Sequence, residues 1–302
     1  KTIVLTMFSV TIYYNTRTEC LPDKQSSFCG KSPYPNAIEH SSMSTKMLCT
    51  SCHLQKQFLQ FASGSVLALV GLLLPAQLVA ADPAKEISPQ LTVKHCDDFE
   101  VSGKGDAEAW RSTEWVALNR RPSGQSSYDT RFKLLYSDTG MYVLFDGSDQ
   151  KLHATLEGDY LALWTEDVFE CFFWTDETKP LYFEYEISPL GYELPLLMPN
   201  SDGKYFGWIP WQYEGARKTR KQISIRGGEQ KSMAAISGWS AEVFIPFALL
   251  KPLDNVPPKA GTRWRANFYR IDTDDNMITQ WDWARVGPSF HEFKKYGQIV
   301  FE

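Results

Sequence analysis

The chain has 302 residues, of which 43% are hydrophobic and 14% aromatic, and a formal net charge of −5. That length suits one large β domain or two small ones. The acidic balance disfavours nucleic acid and anionic membrane as partners. Ten Trp and 14 Tyr stand out. Aromatic residues fill β cores and also form flat platforms for planar or sugar ligands.

Residues 1–46 do not read as part of a fold; an over-extended reading frame or a disordered leader is expected there. Cys49-Thr-Ser-Cys52-His53 matches the c-type haem attachment pattern. It sits before an apolar segment, so it is read as a chance match. That segment, Phe61 to Ala81, has an apolar core from Val66 to Leu74 and ends Val79-Ala80-Ala81 before Asp82. Lys46 and Lys56 precede it. This is the pattern of a secretory signal over 47–81, cleaved after Ala81. The uninterrupted apolar run is short for a bilayer span. The expected location is therefore secreted or periplasmic, with no membrane contact after cleavage. Bases outnumber acids before Ala81, so the remainder is more acidic than the whole. Only Cys96 and Cys171 follow the cleavage point. Export permits a disulfide between them, and a buried thiol at Cys171 is the other reading.

From Asp82 onward the pattern is regular, and one domain over 82–302 is the simplest account. Leu91–Lys94, Trp115–Asn119 and Thr130–Tyr136 read as strands. The turn Ser137-Asp-Thr-Gly140 introduces another, MYVLFDGSD. His153 to Tyr160 is a loop or short helix. Val168, Glu170, Phe172 and Trp174 then alternate with Phe169, Cys171 and Phe173, the period of a central strand. Glu170 is the odd member, a carboxylate on an apolar face that needs a partner, a ligand or solvent. Tyr182–Ile187 alternates again, and Gly191–Met198 is its expected partner. Asn200–Tyr213 is too irregular for a core strand. Ile223–Arg226, Met233–Ile236, Trp239–Phe247, Trp264–Asp272, Trp281–Trp283 and Gln298–Phe301 complete the set, with one helical turn at Ala248–Leu250. About eleven short strands with frequent turn signals predict an all-β, antiparallel, jelly-roll-like sandwich. Phe169, Phe173, Phe183, Tyr185, Val243 and Ile245 are its expected core. Asp272-Thr-Asp274-Asp275-Asn276 has a calcium-like composition without the Gly and distal Glu of an EF-hand, and reads as a turn. No cofactor is expected, although calcium stays open.

Trp164-Thr-Glu-Asp167-Val-Phe-Glu170-Cys-Phe172 resembles the W-x-x-D-x-x-E-x-F signature of family 9 carbohydrate-binding modules. GMYVLFDGSD, GWSAEVFIPF, Trp264–Asp272 and Ser289–Gly297 resemble other segments of that family in the same order, from about Asp98 to Glu302. The resemblance implies a β-sandwich and a poly- or oligosaccharide partner, in support of polysaccharide breakdown. It implies that the sugar, in the studied type a reducing end, is held between two rings, here Trp164 and Phe290. Glu170 takes the position of the acid that bonds sugar hydroxyls, and Tyr269 that of an amide. Glu184 stands where the family has a base, and Phe290 where it has Trp; His291 or Arg270 would compensate. A pyranose has apolar C–H faces and a rim of hydroxyls, so aromatic rings beside charged groups suit it.

Two other readings stay open. A haem-binding sandwich of the related DOMON type would draw axial ligands from Met141, His95, His153 and His291. A glycosidase would use a carboxylate pair from Glu170, Glu184 and Glu186. Glu170 lies six residues from Trp164, about 20 Å if the chain were extended. The two reach one ligand only if Thr165–Asp167 turns the Trp back over the sheet, with Asp167 anchoring the turn through backbone hydrogen bonds.

Overall fold

In a computed structural model of the chain, residues 88–201, 204–205 and 207–302 are described. The expected leader (1–46), signal segment (47–81) and Cys49/Cys52 motif lie outside them. The strands, in chain order, begin with β1 (Gln90–His95), β2 (Val116–Ala117), β3 (Asn119–Arg120), β4 (Thr130–Tyr136) and β5 (Gly140–Ser148). Next come β6 (Val168–Trp174), β7 (Leu181–Ile187), β8 (Glu193–Ser201), β9 (Lys204–Tyr205) and β10 (Ile209–Pro210). They finish with β11 (Arg220–Arg226), β12 (Gly238–Pro246), β13 (Arg263–Asp274), β14 (Met277–Asp282) and β15 (Gly297–Phe301). A single helical turn, α1 (Phe247–Leu250), follows β12.

These strands form a β-sandwich. One layer runs β10-β8-β7-β6-β13-β15-β1, the other β1-β4-β5-β12-β11. Period-two alternation sends one face of each layer inward. Phe169, Cys171, Phe173, Phe183 and Tyr185 meet Val143, Phe145, Val243 and Ile245 in a shared core. All six expected core residues are there. Phe145 stacks on Phe169 at 4.9 Å and 5°, which ties the two layers together at their centre.

Three features differ from the pattern read in sequence. β1 pairs in parallel with β15 at Gln90–Val93 and with β4 at Lys94–His95, so it joins the layers. Parallel neighbours need a long connection, and here most of the domain supplies it. The segment 115–119 splits at Leu118: β2 pairs with β4, and β3 pairs with β14 across the sandwich. Residues 233–236 are a turn rather than a strand, with Met233 at φ 63° and a lone bridge from Ala235 to Lys151. Cys96 and Cys171 are both free thiols. Cys171 is sealed in the inter-layer core, whereas Cys96 packs under the cover of the β4–β5 layer.

The outward faces are also covered. Residues 96–115 lie over β4, β5 and β12, where Trp110 packs on Tyr142, Leu144 and Phe244. Over the β6–β8 and β13 face lie residues 156–164 and 286–296, packed on Phe172, Tyr182, Leu194 and Tyr269. The candidate site opens in this second cover.

Candidate functional site

The outward side chains of β6, β7, β8 and β13 form two adjacent rows. Tyr269, Glu170, Glu186 and Leu194 stand side by side in one, Asn267, Phe172, Glu184 and Leu196 in the next. Opposite residues on neighbouring strands are close enough for direct contact. Glu170, Glu184 and Glu186 are thereby gathered into one patch of the sheet. A cavity of about 280 Å³ stands on this floor. Glu170, Phe172, Glu184, Leu196, Met198 and Ile271 line its base. Trp164, Trp208 and the Pro288–His291 segment make its walls. That volume is at the small end for small-molecule sites, with room for about one or two sugar rings.

A compact turn is present, starting two residues before the Thr165–Asp167 expected for a ligand shared by Trp164 and Glu170. Residues Leu163–Thr165 form a single 3-10 turn directly before β6. Asp167, fully buried, accepts the N–H groups of His153 at 2.7 Å and Thr273 at 2.8 Å. Glu166 accepts the N–H of Thr155 at 2.6 Å and of Leu156 at 3.0 Å. The two acids bind the turn to the preceding loop and to β13, and Trp164 is left 36% exposed at the rim of the cavity. Trp208, 41% exposed, meets it edge to face at 5.6 Å.

Five of the seven residues expected at the ligand meet here: Trp164, Glu170, Glu184, Phe290 and His291. Phe290 sits differently from the expectation. One face of its ring is taken by Tyr269, stacked at 4.0 Å and 12°. Its carbonyl accepts the hydroxyls of Tyr269 at 3.0 Å and Tyr296 at 2.9 Å. Tyr269 is therefore a fully buried prop beneath the 288–291 wall. Arg270 lies on the opposite face of β13, by strand alternation. Its guanidinium binds Asp149 at 2.9 Å and Asp272 at 2.6 Å with no exposed surface. Trp208 was not singled out in sequence. Its Gly207-Trp208-Ile209-Pro210 setting, an aromatic residue in an irregular loop, was the available signal.

His291 shares a 2.7 Å hydrogen bond between Nδ1 and the Tyr182 hydroxyl. Burial pulls its pKa down to about 4, so the ring is neutral near pH 7. Burial drives the three glutamates the other way. Glu184 is pushed up to about 8, and Glu170 and Glu186 are held well above the usual carboxylate range, first by desolvation and then by one another.

The haem reading finds no axial pair among the described residues. Met141 is in the inter-layer core, His95 bonds Asp138, His153 bonds the Thr273 carbonyl, and His291 lines the cavity. For a cation, Asp149, Asp167 and Asp272 are the one group of described residues whose oxygens lie within 4.8 Å of one another. Arg270 already places its positive charge among them. The calcium-like run read in sequence forms the β13–β14 turn, with Asp275 and Asn276 at positive φ.

Residues 101–302 match the carbohydrate family 9 binding domain-like family. The chain belongs to that family. An extracellular protein of Arthroderma benhamiae is 27% identical over 181 residues, 57% of this chain and 78% of that protein. The crystal structure of a candidate carbohydrate-binding protein from Bacteroides uniformis superposes with a TM-score of 0.59 at 15% identity, over 71% of this chain and all of that one. A family 9 carbohydrate-binding module of Caldicellulosiruptor kristjanssonii in complex with cellotriose gives 0.49 at 13% identity, over 70% and 93%. In this family 9 domain the Trp164–Glu170 signature builds the rim and the floor of a single cavity.

Proposed function

We propose that the domain binds a terminal sugar of a glycan in the cavity above Glu170 and Glu184. Its family membership supports carbohydrate as the ligand class. The observation that carries the assignment to this cavity is the meeting of two exposed Trp rings with buried, unpartnered carboxyls in a space of about 280 Å³. A Trp face covers the apolar side of a pyranose, and carboxyls on the floor bond its hydroxyls. Trp164 and Trp208 touch edge to face at 5.6 Å, whereas a ring held between parallel aromatics needs about 7–8 Å. The sugar therefore lies in the corner that they make. A closed floor favours a chain end over the middle of a chain, and a reducing end is the finer form of the proposal. Secretion, and a role in polysaccharide breakdown, complete it.

Binding is favoured over hydrolysis by one geometric point. A glycosidase places its two carboxyls on either side of the scissile bond. Glu170, Glu184 and Glu186 all rise from one sheet and approach a ligand from one side.

Calorimetric titration with a hexose and oligosaccharide panel tests the proposal. Dissociation constants in the micromolar-to-millimolar range are expected, about 4–8 kcal/mol in all. Trp164→Ala and Trp208→Ala should each lose about 2 kcal/mol, enough to bring a weak ligand below detection. Failure of every sugar to bind at millimolar concentration, or unchanged binding in both variants, would contradict it.

A further inference from the structure

Five glutamates among the described residues are buried, and they fall into two groups. Glu242 accepts from Trp110 Nε1 at 2.7 Å and from the N–H groups of Ser102 and Gly103 at 2.8 Å. Glu193 accepts from Tyr185 at 2.5 Å and Thr219 at 2.8 Å, with Lys221 at 3.2 Å. Both are what a buried structural acid requires, a full set of donors. Glu170 and Glu184, which line the cavity, and Glu186, buried beside them, have no such set. Glu170 makes no hydrogen bond to any described residue, and Glu184 Oε2 and both oxygens of Glu186 are buried without a partner. The neighbours of Glu186 are the Glu184 carboxyl and the backbone N–H of Trp164, neither at ordinary hydrogen-bond geometry. His291 Nδ1 is 3.8 Å from Glu184 Oε2, too far to bond it. Among the described residues, no Lys or Arg lines the cavity.

From this we infer that the cavity selects a cationic sugar: an aminohexose whose protonated primary amine sits against Glu170 and Glu184, with Glu186 buried beside them, or a glycan ending in one. The inference rests on the sugar-binding reading of the same cavity. An ammonium group has three donors and a compact positive charge, the complement of unpartnered carboxyls in a site with no base among its described residues. A neutral hydroxyl would supply a donor but not the charge. The Trp164 and Trp208 rings at the rim add cation–π attraction to the apolar contact. A metal ion fits less well, because the three glutamates do not bring their oxygens within the 4.8 Å that the Asp149 group achieves.

Protonation supports the same reading. Buried carboxyls that hold their protons near pH 7 release them when a fixed positive charge arrives. The groups facing Glu184 are Tyr182 and Glu186 on β7, Glu170 on β6, Tyr269 on β13, and His291 and Tyr296 from the 286–296 cover; β8 offers Leu194, Leu196 and Met198, and the neutral Asn200 beside Tyr182.

The test is calorimetry on the full chain at pH 7 with glucosamine, glucose, N-acetylglucosamine, Nα-acetyl-lysine amide and calcium chloride. Glucosamine should bind about tenfold tighter than glucose or N-acetylglucosamine. Its heat should differ between buffers of different ionisation enthalpy, the mark of proton release. Glu184→Gln, folded by its melting curve, should bring glucosamine down to the level of glucose; Glu170→Gln serves if that variant does not fold. Glucose binding as tightly as glucosamine overturns the inference and leaves the sugar reading standing. Binding of no sugar overturns both. Equal binding of the lysine amide, or displacement of glucosamine by calcium, overturns the inference by making the cavity an ammonium or a metal site.

Discussion

Glu184 is buried on a sheet, beside two other acids, whereas the other two buried glutamates among the described residues, Glu193 and Glu242, are surrounded by donors. Its pKa is raised from 4.5 to about 8. The folded state therefore holds the proton more tightly than the unfolded chain does. The resulting stability is fully present below about pH 4.5 and is lost as pH rises through about 8. Glu170 and Glu186 shift in the same direction, so the three effects reinforce one another. Against a Glu184→Gln variant, which cannot ionise, the wild type should lose up to about 1.4 kcal/mol per pH unit across that window. Melting curves at pH 5 and pH 8.5 check this, and parallel profiles for the two proteins would contradict it. The alternation of 168–174 made Glu170 legible in sequence as a charge on an apolar face. The burial of Arg270 was not legible, because Asp149, which with Asp272 on the same strand holds its guanidinium, lies 121 positions away at the end of β5. Nor was the Tyr269–Phe290 stack, which joins residues 21 positions apart across a loop.

At the scale of elements, the site depends on the Leu163–Thr165 turn and on the 288–291 wall. Asp167 is the anchor of the first, and burial, then its acidic neighbours Asp149 and Asp272, hold its pKa well above the usual range. Asp167→Ala leaves the N–H groups of His153 and Thr273 without their acceptor. Such losses cost about 1–3 kcal/mol per buried group. Urea denaturation should show a loss in that range or above, and sugar affinity should fall as well, because Trp164 is no longer held over the sheet. An unchanged midpoint with lost binding would mean that Asp167 acts on the ligand itself. Trp164→Ala should do the reverse, with binding lost and stability changed by less than about 1 kcal/mol, since the ring is more than a third exposed. The turn was legible because a strand six residues long cannot otherwise bring Trp164 back to Glu170. Trp208 was not, because an irregular loop has no periodicity to say which of its aromatics faces inward.

For the whole described domain, the longer strands, the core residues and the layered architecture follow from local alternation, which sequence carries directly. The parallel seam of β1 with β15 and β4 does not, since it depends on how the two ends of the domain meet. The fold also keeps Cys96 and Cys171 apart, one under each of two separate apolar clusters. Peptide mapping without reductant should recover both as unlinked thiols, Cys171 labelled only after denaturation, and a Cys96–Cys171 cross-linked peptide would contradict the layer arrangement. Everything proposed for the ligand turns on one cavity, on the outward face of β6–β8 and β13. The most direct measurement is a crystal structure of the protein soaked with glucosamine or glucose. The expected result is a sugar ring against Trp164 and Trp208 with polar atoms bonded to Glu170 and Glu184. A sugar seated instead in the open cleft of Tyr128, Arg131 and Arg226, with this cavity empty, would contradict it.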